Sequence, residues 1–320
     1  MIDDKIYRFD ELIQETSPKP NLLLGNGFSI AFNEEFKYER LKQNSCLAKR
    51  INFEDNYEKE IENWIKDKRI LIKIKEYITN ALKLDLIYSI SKVKCEPTEE
   101  DMNLPFKFLS QFENIFTLSY DALLYKIIVC NKKKKDFSDG FHYTTWGENK
   151  DKQNIFYLHG GLHLYIDSNK ICKLKYNTEK MQRISEQCVN NIERNKIPIV
   201  IVEGKSVDKL LLIKSNSYLK FCYQKLGKIS GTLFLHGHSL SENDKHIFDM
   251  IKKNNNIHTI NISILKPYLK VENNILSDEA KEIIKKTKKY FGERIDRNID
   301  NPLNINFYDA SSAKIWDLYT

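Results

Sequence analysis

Asn21-Leu22-Leu23-Leu24-Gly25-Asn26-Gly27-Phe28-Ser29 is the stretch on which the fold turns. An apolar run this short, with no polar residue among its leucines, fits a strand covered on both faces, as in a parallel sheet. Gly25 and Gly27 allow a tight turn at its end, and Ser29 suits the first turn of a helix. A strand, a glycine turn and a helix form the opening unit of a doubly wound α/β sheet.

Similar runs recur along the chain. Asn114-Ile115-Phe116-Thr117 leads to Ser119, and Ile155-Phe156-Tyr157-Leu158 leads to His159-Gly160-Gly161. Ile199-Val200-Ile201-Val202 leads to Glu203-Gly204, and Thr232-Leu233-Phe234-Leu235 to His236-Gly237-His238. Each reads as another strand buried on both faces. Thr259 to Ile264 and Ile305 to Tyr308 alternate polar and apolar residues, which places them nearer a sheet edge. Helical patterns fill the gaps at Leu104 to Phe112, Ala122 to Cys130, Ser206 to Lys228, Asp244 to Lys253 and Ser277 to Phe291. Tyr38 to about Met102 shows no buried strand. The expected architecture is one Rossmann-like α/β domain over residues 1–320, with a mostly parallel sheet and helices on both faces. It carries a helical insertion at about 38–110 and a C-terminal α/β completion at about 256–320.

Bulk composition narrows the function classes. A chain of 320 residues can bury a sizeable core, and 41% hydrophobic with 30% charged residues is a globular balance. No apolar run reaches the length of a membrane span, and Asp3, Asp4 and Asp10 occupy the place of an apolar signal segment. The expected address is the cytoplasm, with no membrane partner. The net charge of +7 sits largely in lysine runs such as Lys132 to Lys135 and Lys285 to Lys289. Without interleaved aromatics these read as solvated surface rather than a nucleic-acid patch. The six cysteines make no CxxC pair, which argues against a zinc ribbon or a disulfide framework and for reduced core cysteines.

Ligands of open parallel sheets lie beyond the carboxyl ends of the strands. There the sequence collects Gly25, Asn26, Gly27, Phe28, Ser29, Thr117, Ser119, Tyr120, Asp121, His159, Glu203, Ser206, Gly237, His238 and Ser239. A glycine loop opening a helix lets backbone N–H groups approach a phosphate, with Ser29 as a cap or a further donor. Ile30 stands where a dehydrogenase fingerprint has its third glycine, and Leu41-Lys42-Gln43-Asn44 where its ribose-binding acid belongs. Hydride transfer is therefore disfavoured. His159, between an apolar run and two glycines, is the candidate for proton chemistry; the alternative is a buried histidine bonded to a carbonyl. Asp121 either orients a neighbour or caps the helix starting at Ala122. Glu203 either accepts a ribose hydroxyl or marks a turn. His163 alternates with Leu162 and Leu164, as a structural residue would. His159, His236 and His238 lack a carboxylate at ligand spacing, so no metal is expected.

Taken in order, Gly25-Asn26-Gly27-Phe28-Ser29, Phe116-Thr117-Leu118-Ser119-Tyr120-Asp121, Leu158-His159-Gly160 and Gly237-His238-Ser239-Leu240 resemble the sirtuin-like NAD-binding family, nearest to a bacterial branch. Asp139-Gly140-Phe141 and Glu203-Gly204-Lys205-Ser206 add to the resemblance, which spans roughly Leu22 to Ile247. It implies a Rossmann-like fold holding NAD as substrate or ligand. Gly25, Gly27 and Ser29 would hold phosphates, His159 would act at the ribose, and Gly237, His238 and Ser239 would meet the adenosine side. Classical members are deacylases with a four-cysteine zinc module, which this chain lacks. The resemblance therefore points to hydrolysis of NAD to nicotinamide and ADP-ribose, as in bacterial members that serve antiphage defence. The family asparagine that places the ribose and the attacking water is Ser119 here. Two other readings stay open: a non-catalytic sensor of NAD or an ADP-ribose derivative acting through a partner, and an ADP-ribosyltransferase. An NADase needs gating, by homo-oligomerisation or an activating protein, and Tyr38 to Met102 is the expected place for it.

Overall fold

The computed structural model describes residues 2–47, 57–93, 97–98, 100–131, 137–147, 150–176, 183–202, 204–270, 275–295 and 302–316. Glu203, Cys95, the lysines 132–135 and most of the polar connector at 298–304 lie outside them.

The chain opens with β1 (Ile2–Tyr7) and α1 (Phe9–Gln14), then enters the core through β2 (Asn21–Leu24) and α2 (Gly27–Phe32). The helical insertion follows as α3 (Tyr38–Asn44), α4 (Tyr57–Lys66), α5 (Ile72–Lys92) and α6 (Asn103–Leu109). Next come β3 (Ile115–Thr117), α7 (Leu123–Cys130), β4 (Phe141–His142), β5 (Thr145–Trp146) and β6 (Ile155–Tyr157). Then β7 (Gly160–Asp167), β8 (Lys170–Lys173), α8 (Ile184–Glu193) and β9 (Pro198–Val200) leave the main sheet. The chain returns through α9 (Ser206–Ser215), α10 (Ser217–Leu226), β10 (Gly231–His236), α11 (Lys245–Lys253) and β11 (Ile257–Ile264). It finishes with β12 (Tyr268–Lys270), β13 (Ile275–Leu276), α12 (Asp278–Ile295) and β14 (Asn304–Asp309).

The main sheet runs β1-β14-β11-β10-β2-β3-β6, and every pairing in it is parallel. From β6 to β14 this is the strand order of a doubly wound Rossmann-like fold, with β1 added at one edge. Leu22, Leu23 and Leu24 are at most 1% exposed because β2 sits in the middle, covered by helices on both faces. Removing each such side chain from water contributes about 1.5–3 kcal/mol. No helix among the described residues is long and apolar enough to cross a membrane.

Several details differ from the sequence reading. The apolar run Ile199 to Val202 does not extend the parallel sheet; β9 pairs antiparallel with β7 in a second sheet ordered β4-β5-β8-β7-β9. A short apolar run reads alike in either direction, so the pattern could not distinguish them. The alternating strand β11 is interior, flanked by β10 and β14, and β1 takes the edge that the alternation suggested for it. Its polar residues Asn261 and Ser263 are buried and bonded rather than wet: Asn261 Oδ1 accepts from Asn306 Nδ2 at 2.9 Å, and Ser263 Oγ accepts the Gly237 N–H at 2.9 Å. The segment from Ser206 to Lys228 is two helices, broken at Asn216, whose side chain caps α10 by accepting the Tyr218 and Leu219 amides.

His159 falls at the junction of the two sheets, one residue before β7 begins. Gly160 makes the junction possible. Its φ is +80°, and a Cβ there would lie 1.9 Å from the Ile199 carbonyl oxygen of β9. Gly160→Ala combines left-handed strain with a backbone clash. Its unfolding free energy is expected to fall by about 2 kcal/mol or more. Thermal unfolding checks this, and an unchanged melting temperature would contradict the packing.

Candidate functional site

The carboxyl ends of β2 and β10 lie side by side where the strand order reverses, and a cleft of about 1050 Å³ opens over them. That is the upper end of the roughly 300–1,000 Å³ usual for ligand sites, and the reversal is where such sheets bind ligands. Asn26, Gly27, Ser119, His159, Gly237, His238 and Ser239 line it, as the sequence suggested. Gly25, Phe28, Ser29, Thr117 and Asp121 do not line it; they are buried around it.

The glycine loop packs against the loop that follows β10. Gly25 N–H donates to His236 O and Gly27 N–H donates to Gly237 O, both at 2.9 Å. A Cβ on Gly25 or Gly27 would stand 2.4 or 2.6 Å from Gly237 O, and one on Gly237 would stand 2.7 Å from Phe28 N. The three glycines therefore lock two loops against each other. The Phe28 and Ser29 amides bond within the loop, to Gly25 O and Asn26 O. What the loop presents to the cleft is the Asn26 side chain and the Gly27 face.

Buried neighbours hold that surface in place. Ser119 N–H donates to Thr117 Oγ1 at 3.1 Å, and Ser119 Oγ donates to Asn26 Oδ1 at 3.3 Å. A carboxamide and a hydroxyl thus meet at the mouths of β2 and β3. Asp121 Oδ1 accepts the Leu123 amide at 2.8 Å, so it caps α7. Burial raises its carboxyl pKa, against the opposing hydrogen bonds of Ser29 and Leu123. Phe28 packs on Trp316 with ring centres 5.3 Å apart, and its carbonyl accepts the Trp316 indole N–H. Trp316, Ile315, Ile283 and Ile30 give this flank of the cleft an apolar wall.

The opposite flank is charged. Lys209, 1% exposed, donates to Glu58 Oε1 and to Asp244 Oδ1, each at 3.0 Å. Glu58 comes from α4, 151 residues earlier in the chain. It also accepts from Asn243 Nδ2 at 2.9 Å and from Tyr38 OH, which contacts Tyr120 OH at 2.6 Å. Gly204 lets α4 come this close, since a Cβ there would meet the Glu58 carbonyl at 2.5 Å. Burial and the nearby Asp244 charge raise the Glu58 carboxyl despite Lys209. For Asp244, burial works the other way from its partners, and Lys209 with the His238 hydrogen bond holds it well below the usual carboxylate range.

The histidines divide into distinct roles. His238 Nδ1 accepts the Leu240 amide at 2.8 Å, so its proton is on Nε2, facing Asp244 Oδ2 at 3.2 Å. Both nitrogens are engaged, so His238 anchors the loop at the cleft it lines. His236 Nδ1 pairs with Tyr308 OH at 2.9 Å. His163 stacks on Tyr125 at 4.4 Å, as its structural reading implied. His159 Nε2 lies 3.2 Å from His246 Nε2 and 3.9 Å from Asp244 Oδ1. Among the described residues, no group of three or more His, Cys, Asp or Glu side chains is arranged to hold a metal ion; the cation in this cluster is Lys209.

Sequence reading missed Lys209, Glu58, Asp244 and His246. The leucines of α9 drew attention away from Lys209, yet Leu211 is 62% exposed while the lysine is buried. His246 sits on the buried face of α11 with Ile247, Phe248 and Ile251, which was the available signal. No local pattern announces that Glu58 reaches a partner so far along the chain.

Residues 62–316 match the family described as Domain of unknown function (DUF4917). The chain belongs to the DUF4917 family. The match takes in His159, Lys209, Asp244 and all main-sheet strands except β1 and β2. No curated protein matches this DUF4917 chain.

Two stability measurements follow from the charged flank. Lys209→Met leaves two half-buried carboxylates without their counter-charge, and urea unfolding should show a loss of about 3 kcal/mol; a wild-type midpoint would contradict the ion cluster. Burial also holds His159, His236 and His246 below the usual histidine value, the last two at about 4. The unfolded chain takes up those protons near pH 6.5, whereas folded His236 and His246 wait until about pH 4 and folded His159 also stays neutral well below 6.5, so stability falls as pH drops below 6.5. The urea midpoint should therefore be lower at about pH 5 than at about pH 7. An unchanged or higher midpoint would mean these histidines are not buried neutral.

Proposed function

We propose that the cleft binds NAD and cleaves its nicotinamide–ribose bond, releasing nicotinamide and ADP-ribose. The observation that carries this reading is His159, brought by the end of β6 into a switch-point cleft that Ser119 also lines, with the Asp244 carboxylate 3.9 Å away. The apolar wall at Trp316 and Ile315 suits an adenine, and the charged flank suits the ribose that reacts. The order of motifs that resembles the sirtuin-like family supports the same choice of ligand.

In the cleavage, the bonding pair leaves with nicotinamide, which departs as a neutral base. Positive charge develops on the ribose in an oxocarbenium-like transition state. Asp244 and Glu58 share one Lys209, so this flank keeps a net negative charge while both carboxylates are ionised, and it favours that state. Water adds to the ribose carbon, and its proton passes to His159 or to solvent. The Asn26 carboxamide, bonded to Ser119, offers the amide chemistry that Ser119 itself lacks.

Ser119 favours a second reading, a sensor that binds NAD or an ADP-ribose derivative without cutting it and signals to a partner. Incubating the purified protein with NAD and chromatographing the products separates the two. The cleavage reading expects free nicotinamide and ADP-ribose, with His159→Ala lowering turnover by about 100-fold or more. Ser119→Asn is expected to keep or raise it. Undiminished turnover in His159→Ala would refute the role of His159, and intact NAD that nonetheless binds would select the sensor.

A further inference from the structure

His246 does not line the cleft, yet it is 3% exposed and bound on three sides. Its backbone N–H donates to Ser206 Oγ at 2.7 Å, its Nδ1 lies 3.0 Å from the same oxygen, and its Nε2 lies 3.2 Å from His159 Nε2. The two rings meet edge to edge through these nitrogens, with their planes 26° apart and their centres 5.4 Å apart. Ser206 is the first residue of α9 and His246 lies in the first turn of α11, so two helix starts grip one imidazole.

A 3.2 Å contact between two imidazole nitrogens holds one proton. Both rings are held neutral by burial, with Lys209 adding to the effect on His159. Each ring then has one donor and one acceptor nitrogen, and fixing one fixes the other. The charged and titratable groups around His159 are Lys209 from α9, Asp244 just before α11, His246 from α11 and His238 from the loop after β10. His159 Nε2 is engaged by His246, which leaves Nδ1 as the nitrogen available to the cleft it lines.

We propose that His246 is a positioning residue for His159: it accepts the His159 Nε2–H, passes its own Nδ1–H to Ser206 Oγ, and so keeps Nδ1 of His159 unprotonated toward the cleft. A proton taken up at His159 Nδ1 forms an imidazolium whose Nε2–H still points at His246, with the Asp244 carboxylate at 3.9 Å to stabilise it. His159, His246 and Ser206 form a chain in which a neutral histidine does the orienting. This rests on the reading of His159 as the proton acceptor in NAD cleavage.

Selective ¹⁵N-histidine NMR of the full chain tests it without NAD, with the His159 signals assigned by their loss in His159→Asn. Wild-type His159 should be neutral with its proton on Nε2. His246→Leu and Ser206→Ala should move proton density toward Nδ1, while His246→Gln, whose side-chain oxygen can accept in the same place, should restore the wild-type tautomer. A wild-type His159 protonated on Nδ1, or a tautomer indifferent to loss of His246, would overturn the proposal even if NAD is cleaved. Intact NAD together with the expected tautomer would overturn the cleavage reading alone. With cleavage present, His246→Leu should lower turnover roughly 10-fold or more, with His246→Gln recovering most of it; equal loss in both would overturn the positioning role.

Discussion

Two loops leave the centre of the sheet side by side, after β2 and after β10, and neither has room for a side chain where they touch. Gly25, Gly27 and Gly237 are in backbone contact, and Ser263 holds the Gly237 amide from β11. The chain diverges from that point, through β3 and β6 in one direction and through β11 and β14 in the other. The divergence opens the cleft, and the glycine contact sets the position of its floor. Asn26 and Gly27 reach the surface from one loop and Ser239 from the other.

The charged flank depends on a second constraint, which the insertion imposes. An ammonium as buried as Lys209 is stable only with close counter-charge, and two carboxylates supply it. One of them, Glu58, arrives on α4 from the helical insertion. The insertion is thus part of the cleft wall rather than an appendage to it. Asp244 links this cluster to His238, and its nearness to His159 links it to the residue assigned to chemistry. Burial makes these contacts strong, and for the same reason it makes any unpaired member costly.

Much of the frame was legible in the sequence. The leucines of β2, the apolar run of β6 and the glycine turns carry their meaning locally, because a doubly covered strand must be apolar at every position. The placement of Ser119, His159 and Ser239 at strand ends followed from the same logic. The direction of β9 was not legible, since a short apolar run has no polarity. Nor was the interior place of β11, because buried Asn261 and Ser263 imitate a wet face while bonding to Asn306 and Gly237. What the local pattern left out shares one cause. Gly25 and Gly27 read as a phosphate cradle, but their contact with Gly237 and its carbonyl was not legible, and Lys209 drew no notice among the leucines. In each case the deciding partner lies far away in the chain, where no local pattern reaches.

The central claim is that NAD lies in the switch-point cleft with its reacting ribose against His159. A crystal structure of the wild-type protein with ADP-ribose, the stable product, addresses it most directly. The account predicts the adenine against Trp316 and Ile315, and the terminal ribose within about 3 Å of the His159 ring. ADP-ribose bound elsewhere, or a cleft without ligand at saturating concentration, would contradict it.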